Sequence, residues 1–78
     1  MNDVEYMKMA LALAKEAGES GDVPVGAVIV KDGEVIACGA NERVLYGSAI
    51  SHAEVVAIEK ASKKLGSWRL SGCTLYVT

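Results

Sequence analysis

The stretch VPVGAVIVKDGEVIACGA, residues 23–40, decides the fold. Its opening run, VPVGAVIV, is apolar throughout, which suits a strand buried on both faces. Pro24 belongs at the start of that strand, because proline cannot donate to a central ladder. Lys31-Asp32-Gly33-Glu34 follows. Asp-Gly between two apolar runs is a strong hairpin signal, since both central residues of a type I′ turn need positive φ. The return strand then runs from Val35 to about Ala40. Gly26 marks either a close approach by another backbone or a ligand, or a bulge; the sequence leaves both open.

Upstream, residues 3–18 read as an amphipathic helix with Asp3 as its N-cap. Val4, Met7, Leu11, Ala14 and the Ala17/Gly18 end form one apolar stripe at helical spacing, read as core packing. Gly18 and Gly21 end the helix. Downstream, Asn41 to Ser51 reads as an irregular loop that includes Gly47. A second helix starts at Ser51 or His52 and runs to Leu65, with Gly66 as its stop. Val55, Val56, Ile58, Ala61 and Leu65 give it more than one apolar face, so it is expected to be covered. The loop SWRLSG leads to a third strand, CTLYVT, rich in β-branched and aromatic residues.

The order is helix, β-hairpin, helix, strand. Strand two, helix two and strand three form a βαβ-like crossover, which implies an α/β layered fold with a mixed sheet. The third strand has little to cover it, and a long apolar edge invites pairing with another chain. The sequence reads like the front portion of a larger domain.

With 78 residues the chain is one domain, 1–78, and 51% apolar with 23% charged residues is a globular composition. The net charge of −2 brings no basic stripe of the kind that holds nucleic acid. Lys60, Lys63, Lys64 and Arg69 gather late in the chain, either as a modest phosphate-facing patch or as a solvated helix end that the helix dipole favours. The two cysteines, Cys38 and Cys73, lie too far apart for a disulfide framework or a C-x₂₋₄-C metal pair. Both read as small buried hydrophobes in strands. The start, MNDVEYMKMA, lacks a signal-peptide pattern. No apolar run approaches the roughly 18 residues of a membrane span. A cytoplasmic location is the expectation.

SHAEVVAIEKA, residues 51–61, carries the only histidine. Ser51-x-x-Glu54 matches a capping box, which accounts for Ser51 and Glu54 without any chemistry. The functional reading makes His52 a zinc ligand through one ring nitrogen. Two residues turn a helix by about 200°, yet in the first turn both side chains reach the space off the helix end. There the dipole favours an anion. His52-x-Glu54 is then half of the zinc-deaminase signature, whose other half is P-C-x-x-C.

PVGAVIVKDGEVIACGAN, SHAEVVAIEKA and the WRLSGCTLYVT ending together resemble the cytidine/deoxycytidylate deaminase superfamily. The nearest resemblance is to the bacterial tRNA-specific adenosine deaminase family, and it covers nearly the whole chain. It implies a cytidine-deaminase-like three-layer α/β/α fold, here incomplete. It implies zinc-dependent hydrolytic deamination of adenosine to inosine at the tRNA wobble position. By that resemblance His52 is the zinc ligand and Glu54 the catalytic proton carrier. Asn41 contacts the target nucleoside, and Val25, Gly26 and Ala27 line the base pocket. The backbone of Ala53 lies beside the metal-bound water. The implied partners are a tRNA anticodon stem-loop and a second copy in a homodimer. The family's Pro-Cys-x-x-Cys thiolates do not occur in these 78 residues, so the chain alone is expected to be inactive. The competing readings are a free-base or nucleotide deaminase, acting on guanine or cytosine, and a non-catalytic fragment that self-associates through its open third strand.

Overall fold

The computed structural model describes residues 2–43, 50–67 and 69–78. The first helix, α1, spans Asp3–Glu19. Its N-cap is Asn2 rather than Asp3: the Asn2 side chain accepts the Glu5 N–H at 3.0 Å. Asp3 falls instead in the first turn, where a carboxylate meets the positive end of the dipole.

The hairpin forms as the sequence predicts. Strand β1, Gly26–Lys31, pairs antiparallel with β2, Glu34–Ala40. Asp32 (φ 51°) and Gly33 (φ 75°) both take positive φ between the paired Lys31 and Glu34. The register slips once. Ile29 faces Ala37 but Val30 faces Val35, so Ile36 is the extra residue of a bulge. Ile36 and Ala37 consequently both pack toward α2 (Ala53–Leu65), while Val35 and Cys38 pack toward α1.

Residues 41–51 are not wholly irregular. Glu42–Arg43 (β3) and Ile50–Ser51 (β4) make a short antiparallel ladder. Gly47 and Trp68 lie outside the described residues. Helix α2 ends as expected, with Gly66 in the left-handed region and the Ser67 N–H closing onto the Ser62 carbonyl at 3.1 Å. Lys60, Lys63 and Lys64 are exposed, with Lys63 and Lys64 in the last turn, as a solvated helix end requires.

The last strand, β5 (Cys73–Val77), pairs antiparallel with the other edge of β1, giving the order β2-β1-β5. Both ladders are antiparallel. The expected mixed sheet is thereby corrected among the described residues: β2 and β5 run the same way, but β1 lies between them and no parallel pair forms. α1 lies on one face, where Tyr6 and Ala10 meet Val28 and Val30. α2 lies on the other, where Ala53, Ala57 and Ala61 meet Ala27 and Ile29. The result is three layers, α/β/α, with residues 26–30 of β1 buried, as the apolar run requires.

Two glycines set how closely those layers approach. A Cβ on Gly26 would lie 2.1 Å from the Ala10 carbonyl oxygen and 2.8 Å from the Ala14 nitrogen. A Cβ on Gly39 would lie 2.6 Å from the Ala53 oxygen and 2.9 Å from the Ala57 nitrogen. Each helix therefore rests its backbone on a glycine and lines the contact with alanines. This corrects the expected stripe on α1 at Val4 and Leu11, while its Ala14 and Ala17 are buried as expected. The buried face is Tyr6, Ala10, Ala14 and Ala17, whereas Val4 and Leu11 are 62% and 55% exposed. The Ala10 carbonyl and the Ala14 nitrogen occupy the space over Gly26, so Ala10 is held against the sheet. For the same reason α2 buries only its alanines, and Val55 and Ile58 stay exposed.

A tyrosine pair ties α1 to β5. The Tyr6 and Tyr76 rings sit 5.2 Å apart, and the Tyr6 hydroxyl donates to the Gly33 carbonyl at 2.9 Å. The Tyr76 hydroxyl donates to the Asp3 carboxylate. That bond, then desolvation and the Asp3 charge, push the Tyr76 hydroxyl from 10.0 up to about 12. The folded state thus holds this proton where the unfolded chain has lost it. The stability it contributes is fully present below pH 10 and is lost as pH rises to about 12. The difference in urea midpoint between wild type and Tyr76→Phe should shrink across that window. A difference that stays flat would show that Tyr76 makes no such link.

Candidate active site

Because β1 runs against both neighbours, the carboxyl ends of β2 and β5 meet the amino end of β1. α2 begins at the same end of the sheet, tied there by Asn41. In open α/β sheets ligands bind outside the carboxyl ends of strands. Four hydrogen bonds tie this end together. The Asn41 N–H donates to the Val25 carbonyl at 3.1 Å. The Ala53 N–H donates to Asn41 Oδ1 at 2.8 Å. Thr78 clamps Gly26, accepting its N–H on Oγ1 at 3.0 Å and donating its own N–H to the Gly26 carbonyl at 3.1 Å.

His52 is the N-cap of α2, with extended backbone and an exposed side chain that makes no capping bond. Its carbonyl accepts the Val56 N–H at 3.0 Å. The capping-box alternative does not hold, because Ser51 is committed to β4 opposite Glu42, one residue before the cap. Glu54 is the second helical residue and is half-buried. Ala53 is fully buried, and Asn41, 6% exposed, is the buried polar residue among the described ones. Val25 is half-buried against the α2 side of the core. Gly26 turns its Cα toward α1 and meets this end of the sheet through its backbone. Ala27 lies in the core beneath α2.

Sequence reasoning missed Thr78. The available signal was strand polarity: the residue after a strand antiparallel to β1 lands beside Gly26. The cysteines do not join His52. Cys38 packs on the α1 face, and Cys73 faces Lys31 at the hairpin end of the sheet. Catalytic zinc takes three protein ligands. Among the described residues no three His, Cys, Asp or Glu side chains come together to hold a metal. His52 offers one nitrogen, so these residues do not fit zinc by themselves.

The sequence model of the MafB19-like deaminases matches residues 1–78. The chain belongs to the MafB19-like deaminase family. It is 53% identical over 76 residues to a tRNA-specific adenosine deaminase of Bacillus subtilis, covering 97% of this chain and 47% of that protein. It is 47% identical over 76 residues to a chloroplastic tRNA(adenine(34)) deaminase of Arabidopsis thaliana, again over 97% of this chain but 6% of that protein. Among solved structures it is similar to a guanine deaminase from Bacillus subtilis, with a TM-score of 0.89 and 46% identity over 99% of this chain and 50% of that one. It is also similar to a structure from studies of A-to-I editing by tRNA:A34 deaminases, with a TM-score of 0.87 and 44% identity over 96% of this chain and 58% of that one. The chain thus spans about half the length of the bacterial relatives it matches.

Proposed function

We propose that these residues are part of a deaminase that converts adenosine to inosine in a tRNA anticodon stem-loop. The observation that carries this reading is the bond from the Ala53 N–H, between His52 and Glu54 at the start of α2, to Asn41 at the carboxyl end of the sheet. The 53% identity to a tRNA-specific adenosine deaminase supports it. In the reaction, water adds to C6 of adenine and the amine leaves as ammonia. Glu54 takes a proton from the water and delivers it to the departing amine. Asn41 and the backbone around Val25 and Ala53 border the nucleoside.

Zinc is the cofactor this reading implies. His52 is the one ligand offered here, and the others come from outside the described residues. The isolated 78-residue chain, metal-loaded, should therefore leave a stem-loop adenosine unconverted. A homodimer in the cytoplasm completes the reading. It is supported by the exposed Leu75 and Val77 on β5, at 43% and 37%, and by the absence, among the described residues, of a helix long and apolar enough to cross a membrane.

The match to a guanine deaminase structure favours a second reading, a free-base deaminase. Turnover by the longer protein that carries these residues separates the two. Conversion of an anticodon stem-loop with no release of ammonia from guanine supports the first, and the reverse overturns it.

A further inference from the structure

Asn41 does more at this site than border a nucleoside. The first amides of a helix have no partner within it, and the residue just before the helix commonly supplies the acceptor. In α2 that residue is His52, whose imidazole makes no capping bond. The first of those amides finds its acceptor twelve positions upstream, where Asn41 Oδ1 takes the Ala53 N–H at 2.8 Å in a buried setting. The Asn41 backbone is itself anchored to the Val25 carbonyl. We propose that Asn41 is a positioning residue: it accepts the first amide of α2 and so fixes the helix start that carries His52 and Glu54.

The amide's orientation follows. Only its oxygen accepts, so Oδ1 faces Ala53 and the Nδ2 donors turn elsewhere. A ligand that meets the Nδ2 end of Asn41 must offer an acceptor.

The role in turnover rests on the deaminase reading; the cap does not. The test uses the longer protein carrying these residues, in wild-type, Asn41→Ala and Asn41→Asp forms. Alanine removes the cap. Aspartate keeps an acceptor oxygen but has no donor. The backbone bond to Val25 survives in both.

The Ala53 amide should exchange slowly in the wild type. It should exchange about tenfold faster in the alanine variant, the size of one lost cap. Aspartate should restore the slow rate. An unprotected Ala53 amide in the wild type overturns the proposal, a result that needs no variant to fold. Equal acceleration of exchange in both variants also overturns it. If the wild type shows no turnover while the exchange pattern holds, the deaminase reading falls and the cap stands.

Discussion

Gly26→Ala should be among the most damaging single changes to the fold. The added Cβ would lie 2.1 Å from the Ala10 carbonyl oxygen, 2.8 Å from the Ala14 nitrogen and 2.9 Å from Leu13 Cβ. The first two are helix backbone, which cannot swing aside as a side-chain tip can. α1 would have to lift from the sheet, loosening Tyr6 and Ala10 from Val28 and Val30. Overpacking costs about 1–3 kcal/mol and occasionally more. Native domains hold only about 0.05–0.15 kcal/mol per residue. The urea midpoint should therefore fall sharply. A midpoint equal to that of the wild type would mean that α1 does not rest on Gly26.

Glu54→Gln should have the opposite profile, removing activity and sparing the fold. Glu54 is half-buried in the first turn of α2, and its side chain makes no hydrogen bond or ion pair with the described residues. Glutamine keeps the shape but cannot carry a proton. Removing a positioned acid–base group costs about 10²–10⁴ in rate. Surface changes away from special features stay within about 0.5 kcal/mol. In the longer protein, single-turnover conversion of a stem-loop should drop by that factor while the melting temperature hardly moves. Near-normal turnover would remove Glu54 from the chemistry.

The hairpin was legible because Asp32-Gly33 permits few alternatives, and the end of α2 because Gly66 readily takes the left-handed region. The two-sided burial of β1 was legible from its uninterrupted apolar run. The face of α1 was not. Ala10 and Leu11 each continue a helical period through Ala14, and size favours leucine as the buried one. What decides is Gly26 on another element, which brings the α1 backbone at Ala10 and Ala14 down onto the sheet. The N-cap of α1 was ambiguous by one residue because asparagine and aspartate cap equally well. At the site, His52 and Glu54 stood out through motif and resemblance. The tie from Asn41 to Ala53 and the Thr78 clamp are contacts between elements, and neither leaves a local pattern in the chain.

The central place of β1 also has a meaning for synthesis. Its first edge is satisfied by β2, only two residues further along. Its second edge waits for β5, and the closing Gly26–Thr78 bond spans 52 positions. A chain emerging from the ribosome folds from its amino-terminal side. It therefore passes through an interval in which its most apolar strand is paired on one side and open on the other. Open strand edges recruit other chains. The nascent protein is most prone to misassociation after residue 40 has emerged and before residue 73 has. Of the three strands, the one made first is sealed by the one made last.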